Sequence, residues 1–269
     1  MRIGIIGFGN MGSAIWEKIS QHYSVFVFDK NENLFLNKKE IQKADSLEEL
    51  LEKSDVIILA IKPQDLDDLA EKIYPYSKDK LFISIMVSIS IKYLTEKLPH
   101  SKIIRVMPNL PAQIGKGLSI ISEGYSDNKN EINFTKEIFS YVGKTLIVDE
   151  KLMNIITAIS GSGPGFYFKL VENFDYEKRQ EFLKLFISTL QELTEEFGFS
   201  KEQSEILAKE TGFGAEAYLQ EIKIDPTSAC KKVASKGGTT EAGLAVLKDI
   251  DSLKNAIISA NNRAIELSK

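Results

Sequence analysis

The chain reads as an α/β protein, a doubly wound N-terminal domain followed by an all-α C-terminal domain. Three observations predict it. Through the first half, short β-rich apolar runs alternate with stretches of helical spacing. The runs are continuous rather than alternating, as in strands covered on both faces of a mostly parallel sheet. After about Asp149 the strand signal stops and helical patterns follow one another to Lys269.

In order, the strand-like runs are Arg2–Ile6, Val25–Phe28, Val56–Ile61, Leu81–Met86, Ile103–Met107, Leu118–Ile121 and Leu146–Val148. Met11–Ile19 and Ser46–Lys53 have helical spacing between them. Strands separated by helices pair in parallel, because a crossover returns the chain to the same end of the sheet. Further on, Tyr176–Phe197 places Phe182, Leu185, Phe186, Leu190, Leu193 and Phe197 on one helical stripe, widened by Leu183 and Ile187. A helical domain of about 110 residues has a limited core of its own, so part of this stripe is expected to be covered by a second subunit. The boundary falls between Asp149 and Ser160, giving domains of residues 1–155 and 156–269.

Composition excludes several classes. With 269 residues and 43% hydrophobic content, the chain can bury two ordinary cores. Its net charge is −4 with Lys and Arg scattered among acids, so no basic stripe exists to neutralise a nucleic acid. A single cysteine, Cys230, rules out an intrachain disulfide or a thiolate cluster, and His22 and His100 stand in polar surroundings; no metal site is expected. No apolar run approaches the roughly 18 to 20 residues of a membrane span, and the start lacks a secretory pattern. The expectation is a cytoplasmic protein that binds neither nucleic acid nor membrane.

The first run ends at Ile6 in Gly7-Phe8-Gly9-Asn10-Met11-Gly12, which opens the helix Met11–Ile19. Here Gly7 permits the tight turn, Gly9 lets a pyrophosphate approach the backbone, and Gly12 allows helix and strand to pack closely. With Asp29 at the end of the second run, this is the pattern of a Rossmann-like dinucleotide site. Asp29 would bond a ribose 2′-hydroxyl and favour NADH, whereas adjacent Lys30 could pair with a 2′-phosphate and favour NADPH. Ala60-Ile61-Lys62-Pro63 ends the third run at the strand edge where such sheets bind ligands. Asn109, between Pro108 and Pro111, sits on a stiffened rim; its amide is open to the nicotinamide, to a substrate pocket, or to the turn's own backbone.

Ser235-Lys236-Gly237-Gly238-Thr239-Thr240-Glu241-Ala242-Gly243 precedes a helical pattern and frees several backbone N–H groups at a helix start. It reads as a small anion cradle or as a flexible turn with a Thr cap. Ser160-Gly161-Ser162-Gly163-Pro164 reads as the shaped junction between domains, or as a simple hinge. Neither serine is read as a nucleophile, because no histidine lies near it in sequence.

These motifs, with Arg105-Val106-Met107-Pro108-Asn109-Leu110-Pro111-Ala112, stand in the order found in pyrroline-5-carboxylate reductases, and the chain resembles that family from end to end. The resemblance implies reduction of 1-pyrroline-5-carboxylate to L-proline by NADPH or NADH. It implies a helical domain that forms a homodimer by interleaving, often with dimers assembled into decamers. Carried over by position, Ser235, Gly237, Gly238, Thr239 and Thr240 hold the substrate carboxylate, and Thr240 is the catalytic threonine near the ring nitrogen. Ile6, Gly7, Phe8, Gly9, Asn10, Met11, Gly12, Asp29, Lys30, Ala60, Ile61, Lys62, Pro63 and Asn109 form the cofactor side. Two features depart from the family pattern: Lys236 replaces a usual proline, and an extra stretch lies around Phe166 to Phe182.

Overall fold

A computed structural model describes residues 1–36, 40–122 and 129–269. β1 (Arg2–Ile6) runs into the glycine turn and α1 (Asn10–Ile19), followed by β2 (Ser24–Phe28) and a short β3 (Gln42–Lys43). Next come α2 (Leu47–Lys53), β4 (Val56–Leu59), α3 (Leu66–Ile73), β5 (Leu81–Ser84), α4 (Ile91–Lys97) and β6 (Lys102–Met107). β7 (Gly117–Ser122), α5 (Lys129–Ser140) and β8 (Gly143–Val148) complete the sheet domain. The helical part is α6 (Met153–Ile156), α7 (Gly163–Leu170), α8 (Tyr176–Glu196), α9 (Lys201–Ile222), α10 (Pro226–Val233), α11 (Thr239–Leu244) and α12 (Leu253–Leu267).

The strands pair in the order β3-β2-β1-β4-β5-β6-β7-β8. All neighbours are parallel except β6 and β7. That exception has a local cause: the link between them is one short 3-10 turn, Leu110–Ile114, ended by left-handed Gly115, too short for a crossover. From β1 the chain winds to β2 on one side and returns to β4 on the other. A crevice therefore opens at the carboxyl ends of β1 and β4, the switch point where such sheets take ligands.

The halves share one core. Met107, Leu110 and Leu118 of the sheet domain belong to the same buried cluster as Phe166, Phe186, Leu190, Leu207, Tyr218 and Ile257 of the helices. α9 closes on the β6–β7 link through Gly214, where a β-carbon would lie 2.7 Å from the Lys116 carbonyl. Arg105, buried on β6, pairs with Glu150 at 3.0 Å and ties the sheet to the start of the helical half. Past α12, Lys269 returns to the β5–α4 loop: its N–H donates to the Ser88 carbonyl, and its carbonyl accepts from Ser90, each at 3.0 Å.

The α8 stripe is mostly satisfied within the chain. Leu183, Phe186, Ile187, Leu190 and Leu193 are buried against the shared core, while Phe182 and Phe197 pack at its margin. Leu185 departs from the expected stripe: it is 47% exposed, and Phe213 of α9 is 52% exposed. A buried carboxylate also fastens these helices. Glu216 of α9 accepts from Tyr167 of α7 at 2.8 Å, from Arg179 at 3.2 Å and from Gln180 of α8 at 3.0 Å. Burial, with Glu216 beside it, pushes the Tyr167 hydroxyl well above the usual phenol range. Residues 166–182 form the rest of α7, a turn and the start of α8, whose first turn is capped by Asp175. Among the described residues, no helix is long and apolar enough to cross a membrane.

Candidate active site

At the switch point, each glycine of the turn shows a distinct steric need. Gly7 has φ +99°, and a β-carbon there would lie 2.5 Å from the Ala60 carbonyl. A β-carbon on Gly12 would strike the Gly7 carbonyl. Gly9 is different, because its β-carbon would meet nothing within 4 Å. That open space lies before the first turn of α1, which has no side-chain cap and no acidic residue. The site therefore fits a dinucleotide pyrophosphate by shape and charge.

Asp29 stands at the end of β2 and shapes this turn. Its carboxylate accepts the Phe8 N–H at 2.6 Å and the Asn31 N–H at 2.8 Å, and the group is only half-buried. Phe8 itself turns inward, its ring 5.7 Å from Trp16 and 5.2 Å from Phe35. Lys30 points away to Asp65 at 2.9 Å and is 79% exposed. Ala60, Ile61, Lys62 and Pro63 leave β4 opposite the turn, with Lys62 exposed at the start of a 3-10 turn. Ile6 ends β1 facing the core, and Asn10 and Met11 open α1.

The second cluster forms around α11. Gly237 is left-handed at φ +72°, so the loop turns sharply, and the Gly238 N–H donates to the Ser235 carbonyl at 3.0 Å. A β-carbon on Gly238 would collide with the Ser235 hydroxyl. The N–H groups of Thr239 and Thr240, in the first turn of α11, have no acceptor among the described residues. Lys236 is exposed. The Thr240 hydroxyl, buried, donates to Ser162 at 2.9 Å, and the Thr239 hydroxyl lies 3.1 Å from the same oxygen.

One segment joins the two clusters. Residues Thr157–Gly161 form a π-helical turn, a local widening common at functional sites. Ser160, on that turn, accepts from Asn109 Nδ2 at 3.3 Å, and Ser162 follows it against Thr240. Asn109 is 2% exposed, and its Oδ1 accepts the Leu118 N–H at 2.9 Å. Of the roles open to Asn109 from sequence, the amide is thus seen satisfying the turn's own backbone. The glycines of this segment allow close approach: β-carbons at Gly161, Gly163 and Gly165 would lie 2.7, 2.6 and 2.7 Å from Met107, Thr211 and Thr240.

Sequence reasoning quoted Ser162 and Glu241 only inside their motifs, without a binding or positioning role, and did not name Gly165 or Arg263. The signal available for Ser162 and Gly165 was a serine set between glycines, which is costly in a helix unless something must approach closely. Glu241 and Arg263 lie on helices where a charged residue ordinarily signals a solvated face.

Comparison with known proteins agrees with this geometry. Residues 2–88 match a family described as NADP oxidoreductase coenzyme F420-dependent, and residues 178–269 match pyrroline-5-carboxylate reductase dimerisation. A pyrroline-5-carboxylate reductase of Aquifex aeolicus is 30% identical over 275 residues, covering 100% of this chain and 97% of that protein. One from Staphylococcus aureus is 32% identical over 290 residues, covering 100% and 98%. Among solved structures, the Plasmodium falciparum pyrroline carboxylate reductase with NADP bound superposes with a TM-score of 0.64 at 27% identity, covering 100% of this chain and 98% of that one. With a sheet-edge dinucleotide crevice, a threonine-lined loop and end-to-end similarity to these enzymes, the chain belongs to the pyrroline-5-carboxylate reductase family.

Proposed function

We propose that this protein reduces 1-pyrroline-5-carboxylate to L-proline with NADPH or NADH, the last step of proline synthesis. The observation that carries this reading is the Asn109–Ser160, Ser162–Thr240 chain of contacts. It places the loop at the start of α11 beside the carboxyl edge of the sheet. A carboxylate-bearing imine held there lies next to the dinucleotide crevice.

When bound, the dihydronicotinamide supplies the hydride. The turn from Ile6 to Gly12 takes the pyrophosphate, with Gly9 giving it room, and Asp29 accepts from a ribose hydroxyl while continuing to brace Phe8. Ala60–Pro63 form the facing wall. Asn109 acts at one remove, by holding Ser160 and the β6–β7 turn in place. Residues Ser235 to Thr240 hold the substrate, and the N–H groups of Thr239 and Thr240 are the donors left for its carboxylate. Thr240 offers its hydroxyl oxygen to the ring nitrogen.

Few catalytic side chains are needed. A protonated cyclic imine is already electrophilic, so holding C5 of the ring against the hydride donor supplies most of the acceleration, about 7–11 kcal/mol in well-oriented systems. Thr240 orients the nitrogen and assists its protonation, a contribution of about 10²-fold or more for a positioned proton-transfer group. The chain acts as a homodimer through α8, α9, α11 and α12, with decamer formation as a further step of assembly.

The test is oxidation of NADH and of NADPH, measured separately, with 1-pyrroline-5-carboxylate and with a six-membered cyclic imine acid. Turnover of the five-membered imine is expected; its absence sinks the reading. The ratio of the two cofactor rates decides between Asp29 and Lys30 as the group that sets cofactor choice.

A further inference from the structure

Two charged side chains grip the two successive peptides on either side of Gly237 in the substrate loop. Arg263, on α12, donates from Nε to the Gly237 carbonyl at 2.8 Å. Glu241, on α11, accepts the Gly237 N–H on Oε2 at 2.7 Å. Between them Gly237 is held in its left-handed conformation at φ +72°. Arg263 Nη1 reaches Glu266 at 2.8 Å, at a rim where that glutamate is 63% exposed and the pair is screened. Nη2 stays on the loop side, 3.7 Å from where a β-carbon of Gly237 would be.

The arrangement has two physical consequences. Fixing the Gly237–Gly238 peptide through its carbonyl fixes the direction of the N–H groups that follow it, because a flip of that peptide would turn the Gly238 N–H away from the Ser235 carbonyl. A guanidinium alongside the loop also adds a full positive charge, which a helix of only six residues does not supply. Glu241 places an opposing carboxylate on the preceding peptide, Lys236–Gly237, where it disfavours a second anion.

We propose that Arg263 is the positioning and specificity residue of the substrate loop: it orients the Gly237 peptide and makes the loop select cyclic imines that carry a carboxylate, with Glu241 as the opposing charge. The proposal rests on Ser235 to Thr240 being the substrate loop. It concerns selection among imines, whereas the functional reading concerns whether the five-membered imine acid is reduced at all.

The experiment compares 1-pyrroline-5-carboxylate with 1-pyrroline, the same ring without the carboxylate, in wild type, Arg263→Gln and Glu241→Gln. Arg263→Gln is expected to raise KM for the carboxylated imine about tenfold, as loss of a charge-assisted contact does. It should change kcat little and leave kcat/KM for 1-pyrroline near wild type. Glu241→Gln keeps an acceptor for Gly237 but removes the like charge, and is expected to lower KM for the carboxylated imine alone, by about two- to fivefold. Equal effects on both imines, or no effect of either substitution, overturn the proposal. Should Arg263→Gln fail to fold, the exposed Glu241 site carries the test by itself, and an unchanged KM there is the overturning result. Wild type that reduces neither imine would sink the functional reading first.

Discussion

Thr240 donates its hydroxyl proton to Ser162 across 2.9 Å, and both residues are buried. Thr239 shares the same serine oxygen at 3.1 Å, so one hydroxyl organises two threonines at the start of α11. Removing it strands both partners in a dry setting, at a cost of about 1–3 kcal/mol. Ser162→Ala should therefore melt at lower temperature and lose about tenfold in kcat. KM for the imine acid should stay near wild type, since in the proposed site backbone N–H groups hold the carboxylate. Thr240→Val keeps the packing against Gly165 and should lose about 10²-fold in kcat. Steady-state kinetics with thermal melts separate the two effects, and an unchanged kcat in Thr240→Val removes Thr240 from the chemistry.

Gly9 and Gly165 are predicted to fail in opposite ways. A β-carbon at Gly9 meets nothing within 4 Å, so Gly9→Ala should fold as well as wild type. It fills the space proposed for the pyrophosphate, and KM for the dinucleotide should rise about tenfold or more. At Gly165 the β-carbon would lie 2.7 Å from Thr240 Cγ2 and 3.4 Å from Val233. Overpacking there costs about 1–3 kcal/mol and displaces Thr240, so Gly165→Ala should lose stability and kcat while keeping its cofactor KM. Melting curves and KM for NAD(P)H, read side by side, check the contrast.

How much of this was legible beforehand follows from what each residue contacts. The strands were readable because both faces of the sheet are covered, leaving unbroken runs such as Val56–Leu59. β3 was not, since its two residues, Gln42 and Lys43, are exposed and polar. The glycine turn was readable because its steric needs are local. Ser162 was not, because its partner lies 78 residues away and only the tertiary fold brings them together. Leu185 looked like core by spacing, but the stripe on α8 is wider than the surface its neighbours cover.

An acid-sensitive clasp lies outside the active site. Asp67 on α3 accepts from the Tyr93 hydroxyl at 2.6 Å and pairs with Lys97 at 3.0 Å and Lys269 at 3.2 Å. These hydrogen bonds, Tyr93 first, hold its carboxyl well below the usual carboxylate range. A carboxyl depressed in the folded state stabilises that state above its unfolded pKa, about 3.9. The contribution is lost as pH falls through the lower folded value. Wild type should thus melt above Asp67→Asn at neutral pH, and the difference should shrink as the pH drops below about 4. A difference independent of pH would show that the carboxylate charge is not what holds Lys269 in place.

Phe213 marks the surface where a second subunit is predicted to seat. With Leu183 and Ile187, and with Gln180, Lys184, Ser188 and Gln191 around them, it lines a groove of about 320 Å³ between α8 and α9, and it is 52% exposed. A large aromatic exposed over a groove with a polar rim is the anatomy of an interface, and this region lies within the stretch matching the dimerisation family. Phe213→Glu places a charge where burial would strip it of water, which a self-contained monomer would not notice. Sedimentation should show wild type as a dimer or a multiple of it and Phe213→Glu shifted toward monomer, with an unchanged helical signature. If Phe213→Glu assembles like wild type, the seam lies instead along α12. There Ile258 and Ile265 are also exposed, and Ile265→Glu becomes the substitution that dissociates it.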